Sequence, residues 1–268
     1  MKLKDKVCII TGAGQGIGKY YAQRLAEEGA KIVVAELNAE SGKAVVDEIT
    51  EKGHDSLFIQ TDVSVEKSVQ AMADETNEKY GRIDILINNA AVFATLGFKP
   101  FDQIPIEEWD HVMAVNLRGM WLCCKAVVPY MKAQKKGKII NTSSSAWDMG
   151  RAFYLHYVTS KAGVVGFTRG LAREVGEWNI NVNCVSYAGV ITEIERESYT
   201  PEAQEWVMSQ QCIKRPGIPE ELVGTIIFLA SEDSDFLTGQ NIHPTVGYIF
   251  TDMGAFILNS CVNMNGGV

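Results

Sequence analysis

Short runs rich in isoleucine and valine alternate with longer amphipathic stretches through most of this chain, and that alternation limits the fold more than any other feature. "KVCIIT" leads into a helical stretch from Gly16 to Gly29, then come "KIVVAE", a helix near Ala39 to Lys52, "SLFIQTD" and a helix from Val65 to Tyr80. "IDILINNA" follows, then two more helical segments, then "GKIINTSSS" and later "INVNCVSYAG". Strands that are apolar on both faces need helices on both faces of their sheet, and strands joined through helices run parallel. With right-handed crossovers the expected fold is α/β, a doubly wound parallel sheet.

No linker, repeat or low-complexity stretch divides the 268 residues, so one domain over residues 1–247 is expected, followed by a tail at 248–268 with no clear period. Residues 190–218 also break the rhythm, being polar and irregular. A hydrophobic fraction of 46% supports a sizeable core, and a net charge of −8 argues against nucleic acid or an anionic membrane as the main partner. Six cysteines show no C-x-x-C pair, and most lie in apolar strings, which suggests buried thiols in a reducing, cytoplasmic setting. His54, His111, His156 and His243 are too scattered to suggest a metal site. The amino terminus reads as a strand rather than a signal peptide, and no apolar stretch is expected to span a bilayer.

The first strand runs straight into "TGAGQGIG", Thr11 to Gly18. Glycines there let the backbone turn tightly and approach a pyrophosphate, while the next helix offers free N–H groups. Glu36 closes the second strand twenty positions after Gly16, where a carboxylate can hold ribose hydroxyls. Each feature alone also fits an ordinary strand-to-helix turn or a solvated strand end. Together they favour a dinucleotide in a Rossmann-type fold.

"YVTSK" places Tyr157 and Lys161 four residues apart at the start of a helical run. That spacing puts the phenol and the ammonium on one helix face. By itself it fits a core tyrosine beside a surface lysine at least as well as a catalytic pair.

The ordered motifs resemble those of the short-chain dehydrogenase/reductases. "TGAGQGIG" fits the family's T-G-x-x-x-G-x-G, "NNAA" at 88–91 is similar to its N-N-A-G, and "YVTSK" to its Y-x-x-x-K, over about Lys6 to Gly247. The resemblance implies that Tyr157 is the general acid/base, and that Lys161 lowers its pKa and contacts the nicotinamide ribose. It implies that Ser144 bonds the reacting oxygen, with Ser143 and Ser145 alongside and not separable by spacing. Asn116, in "VNLRG", is similar to an asparagine that helps hold a relay water. An unperturbed tyrosine titrates near ~10, so a neighbouring ammonium is needed to suit it to proton transfer at neutral pH.

For the cofactor, the resemblance implies NAD held by Gly12, Gln15, Gly16, Ile17, Gly18, Glu36, Asp62, Val63, Asn89, Tyr157, Lys161, Val190 and Thr192. Asp62 also fits a helix cap. No metal is required, because the phenol and the serine hydroxyl polarise the oxygen. The implied activity is hydride transfer between NAD and a small secondary alcohol or ketone, in a homotetramer. The alternatives are a 3-oxoacyl thioester reductase and, outside enzymes, a cofactor-binding regulatory or scaffold protein.

Two departures stand out. Tyr187-Ala188 replaces the family's frequent Pro-Gly, and "LTGQNIHPTVG" lacks the usual acidic residue before its glycine. Phe93, Trp147, Phe153, Tyr154 and Tyr187 are expected to line an apolar substrate pocket.

Overall fold

A computed structural model describes residues 1–195, 204–205, 208–209 and 211–244. The expected tail at 248–268 lies outside the described residues, as does part of the irregular segment at 190–218. Seven strands form one parallel sheet in the order β3-β2-β1-β4-β5-β6-β7. They are β1 (Val7–Thr11), β2 (Lys31–Glu36), β3 (Ser56–Gln60), β4 (Ile85–Asn88), β5 (Gly137–Ser144), β6 (Ile180–Tyr187) and β7 (Asn241–Ile242). The helices are α1 (Gly16–Glu27), α2 (Ala39–Glu51), α3 (Glu66–Tyr80), α4 (Ile106–Met113), α5 (Met120–Gln134), α6 (Leu155–Val175) and α7 (Pro219–Ala230).

Alternate residues of each strand feed opposite cores, as a period of two requires. Cys8, Ile10, Ile32 and Val34 join Tyr21, Leu25, Val45 and Ile226 on the side of α1, α2 and α7. Val7, Ile9, Val33 and Leu86 join Met72, Cys123, Val127 and Ala172 on the side of α3, α5 and α6. Both faces are therefore covered, which explains why the strands read as continuous apolar runs.

The strand order reverses between β1 and β4, and the crevice beyond the carboxyl ends of two such strands is where open α/β sheets take ligands. The glycine turn leaves β1 at that point.

One stretch differs from expectation. The two helical segments before β5 are one 29-residue helix, Ile106–Gln134, continuous through a π-type turn at Ala114–Gly119. By length and composition this helix could cross a membrane, contrary to the expectation of no such stretch. Half of its apolar window is buried, and Cys123 and Val127 pack in the α3-side core, the pattern of a core helix.

Candidate active site

The crevice opens into a cavity of about 440 Å³ that holds the glycine turn, the end of β2 and the start of α6 along one continuous wall. Its lining includes Gly12, Gln15, Ile17, Gly18, Glu36, Asp62, Val63, Asn89, Ser144, Tyr157, Lys161, Val190 and Thr192. Gly16 is not in that lining but opens α1 beside it.

The turn can be built only with glycine at two of its positions. Gly12 has a φ of 64°, and a Cβ there would sit 2.8 Å from the Ala90 Cα. A Cβ on Gly18 would lie 2.2 Å from the Gly12 carbonyl oxygen. Asn89 fastens the turn from the next strand, its side-chain amide donating to the carbonyls of Thr11 at 3.1 Å and Gly12 at 3.0 Å.

Helix α1 begins without a side-chain cap from Gln15. The Gly16 N–H instead donates to the Glu193 carboxylate at 2.7 Å. An anion supplied by the chain itself thus sits on the helix terminus where a pyrophosphate would be expected, so the turn's donors fit an anionic group. Glu36 ends β2 with one carboxylate oxygen accepting from Gly14 N and the other from Asn38 N, both at 3.0 Å. Asp62 accepts from the backbone and hydroxyl of Ser64 at 2.9 and 2.7 Å, so it shapes the turn ahead of α3 as well as lining the cavity. The residues present fit a dinucleotide along this wall.

At the other end, β5 delivers three consecutive serines, and their hydrogen bonds separate them. Ser143 is buried and its hydroxyl donates to the Lys161 carbonyl at 2.8 Å. Ser145 is buried and its hydroxyl donates to the Tyr187 carbonyl at 2.8 Å. Ser144 only accepts, from Ala146 N at 3.2 Å, and its proton faces no protein acceptor among the described residues. The choice that spacing could not make falls on Ser144.

Tyr157 and Lys161 lie one turn apart in α6, with the ammonium 5.7 Å from the phenol ring centre. Lys161 is 2% exposed and donates to the Thr142 carbonyl at 2.9 Å. Burial pushes its pKa down to about 8, only slightly opposed by Cys184.

Asn116 occupies the π-type turn, a feature frequent at functional sites. Its amide oxygen accepts from Val92 N at 2.8 Å, and its NH₂ donates to Val92 O at 3.1 Å and Ser160 Oγ at 3.2 Å. The side chain is buried outside the cavity lining, where it ties the segment after β4 to α6.

The substrate wall needs correction at three positions. Trp147 packs with Met120, Val164, Val165 and Cys184, because its large ring finds an apolar cluster between α5 and α6 rather than the cavity. Phe153 is 60% exposed and is not part of the lining. Tyr187 reaches the lining, but its hydroxyl meets that of Tyr21 at 2.6 Å within the α1-side core. Burial raises both phenols, that of Tyr187 to about 12, so each keeps its proton.

Phe93 and Tyr154 do line the cavity, joined by Tyr154 OH donating to Phe93 O at 2.8 Å. Phe98, Met149 and Arg151 line it too and carried no sequence signal, since loops have no period to read.

Comparison with known proteins agrees with this geometry. The family model described as enoyl-(acyl carrier protein) reductase matches residues 12–249. The (2S)-[(R)-hydroxy(phenyl)methyl]succinyl-CoA dehydrogenase subunit BbsD of Thauera aromatica is 38% identical, over 91% of this chain and 96% of its own. The 3-oxoacyl-[acyl-carrier-protein] reductase FabG of Staphylococcus aureus is 35% identical, over 90% of this chain and 97% of its own. A solved 7α-hydroxysteroid dehydrogenase in complex with NADH and 7-oxo glycochenodeoxycholic acid superposes with a TM-score of 0.88 at 31% identity, over 92% of this chain and 96% of that one. The chain belongs to the short-chain dehydrogenase/reductase family. It is an oxidoreductase of the alcohol/carbonyl type.

Proposed function

We propose that the chain is an NAD-dependent dehydrogenase or ketone reductase for a small secondary alcohol/carbonyl pair. The observation that carries this reading is that Ser144, Tyr157 and Lys161 share one cavity with the glycine turn and Glu36. NAD bound there supplies or accepts the hydride at the reacting carbon.

Tyr157 gives its phenolic proton to the substrate oxygen in reduction and removes it in oxidation. Ser144 donates its hydroxyl proton to the same oxygen, stabilising the charge that develops on it. The Lys161 ammonium favours the phenolate form of Tyr157, and its low-dielectric surroundings strengthen that attraction. With a pKa near 8 it still carries its charge at neutral pH. Asn116 acts through position, holding the Val92 backbone against Ser160, whose hydroxyl donates to the Tyr157 carbonyl at 2.7 Å.

Glu36 selects the cofactor. Its carboxylate suits a ribose hydroxyl and repels a 2′-phosphate, and the nearest basic side chain of α1, Lys19, is paired with Glu48 at 2.7 Å.

A second reading, reduction of a 3-oxoacyl thioester, is favoured by relatives whose names specify coenzyme A or acyl-carrier-protein substrates. Formation of NADH from a panel of secondary alcohols tests the first reading. Turnover of thioesters alone would select the second, and cofactor binding without turnover of either would leave a scaffold. Assembly as a homotetramer in the cytoplasm extends from the family to this chain as part of the proposal. Light scattering should then find four times 29.5 kDa.

A further inference from the structure

We propose that Arg151 forms a recognition site for a carboxylate carried by the substrate, at the end of an aromatic wall that starts at Tyr157. This rests on the dehydrogenase reading and names its substrate class, an oxo or hydroxy acid with an apolar body between the reacting carbon and the acid.

The wall is continuous. The Tyr157 and Tyr154 rings lie 4.8 Å apart, and Phe98 meets Tyr154 edge-on at 5.4 Å. The Arg151 guanidinium lies 5.0 Å from the Phe98 ring centre. Tyr157, Tyr154, Phe98 and Arg151 all line the cavity. Rings of this kind desolvate an apolar body but offer little to a charged one, so a substrate held by them needs only one polar anchor besides its carbonyl.

Arg151 is set by the backbone. The loop after β5 is wound by Met149 N donating to Ser145 O and Arg151 N donating to Ala146 O, both at 3.1 Å. Gly150 and Phe153 flank it with φ of 55° and 63°. A left-handed phenylalanine is an uncommon conformation that persists only where surrounding contacts impose it. Here Lys99 N donates to Phe153 O at 2.8 Å, joining this loop to the segment that carries Phe98.

Charge within the cavity is segregated. Among the described residues lining it, the carboxylates are Glu36 and Asp62, both on the dinucleotide wall. The aromatic end carries a guanidinium in a chain whose net charge is −8. Guanidinium suits this task because it stacks by its face on an arene, while its N–H edges match the two oxygens of a carboxylate.

The test pairs 4-acetylbenzoate and 3-benzoylpropionate with their methyl esters, using NADH. The wild-type protein should favour the acids at least tenfold in kcat/KM. Arg151→Met should remove that preference through KM while leaving the esters within about threefold, and Arg151→Lys should restore part of it. Binding of 4-acetylbenzoate to the NADH-loaded protein, followed by cofactor fluorescence, should weaken at least tenfold in Arg151→Met. Arg151-dependent binding without turnover of any ketone would defeat the dehydrogenase reading and leave the carboxylate site standing. Equal use of acids and esters together with equal binding by both proteins would overturn the proposal. So would an Arg151-dependent gain seen only with coenzyme A thioesters, which would assign the guanidinium to a phosphate.

Discussion

The Glu193 carboxylate and the Gly16 N–H stand 2.7 Å apart, so the segment after β6 closes over the opening of helix α1. A Cβ on Gly16 would meet the Ile194 side chain at 2.6 Å, which shows how closely this segment covers the turn. A pyrophosphate would need the same N–H and would repel the same carboxylate. Glu193→Gln should therefore tighten NADH binding by about three- to tenfold, measured by fluorescence titration. Unchanged or weaker binding would show that Glu193 does not compete for the turn.

Removing the Tyr157 hydroxyl takes away the proposed proton carrier and little else. Tyr157→Phe should keep the far-ultraviolet spectrum and the NADH affinity of the parent while turnover falls by at least about a hundredfold. Near-normal turnover would remove Tyr157 from its role.

Lys161 is a charge held in a place that disfavours it. Its folded pKa of about 8 lies below the ordinary 10.5, so the buried ammonium destabilises the fold by about 3 kcal/mol in the cofactor-free protein. That cost is complete below pH 8, fades as pH rises from 8 towards 10.5, and is gone above it, because over that interval the unfolded chain binds the extra proton. Lys161→Met should raise stability at pH 7 by about 1–3 kcal/mol while abolishing turnover, with the gain shrinking at pH 10. Denaturant melts at the two pH values measure it, and a loss of stability at pH 7 would contradict it.

At Glu36, a 2′-phosphate about 4 Å from the carboxylate would be repelled by roughly 4 kcal/mol at an effective dielectric near 20. It would also forfeit a charged hydrogen bond worth ~1.5–3 kcal/mol. After screening, about 3 kcal/mol remains, a preference for NAD of roughly a hundredfold in kcat/KM. Glu36→Ala should weaken NAD and shrink that ratio; equal efficiency with NADP in the parent would place the carboxylate's role elsewhere.

The Tyr21–Tyr187 hydroxyl pair gives a prediction of the opposite kind. Tyr187→Phe leaves the buried Tyr21 hydroxyl without that partner, so it should cost about 1–3 kcal/mol of stability. KM for a good substrate should move less than twofold, since the lost atom points into the core. A large change in KM with no change in melting would return the Tyr187 hydroxyl to the substrate wall.

Periodicity located the first six strands to within a few residues, because each is apolar on both faces and bounded by polar or glycine-rich turns. It split Ile106–Gln134 in two because a π-type turn shifts the apolar phase without ending the helix. The candidate site was legible where a spacing is tied to one element, as at Tyr157 and Lys161. It was ambiguous at Ser143, Ser144 and Ser145, where only long-range partners separate the three hydroxyls. Trp147 was misplaced for a related reason: an aromatic ring beside a cavity also lies beside the core, and sequence does not say which way the loop turns it. Arg151 and Phe98 become neighbours through two loops more than fifty residues apart in the chain, and no local rule reaches that far.

The π-type turn at Ala114–Gly119 also sets how this stretch can change by insertion and deletion. Each residue of an α-helix advances the side chains by about 100°. Deleting one residue inside the turn would let regular winding resume while rotating everything after it out of step. Cys123 and Val127 would then leave the core beside α3, and Asn116 would lose Val92 and Ser160 together. Point substitutions in α5 act one contact at a time, whereas a single-codon loss here acts on a whole helix face. Length in this stretch should therefore be held far more rigidly than composition.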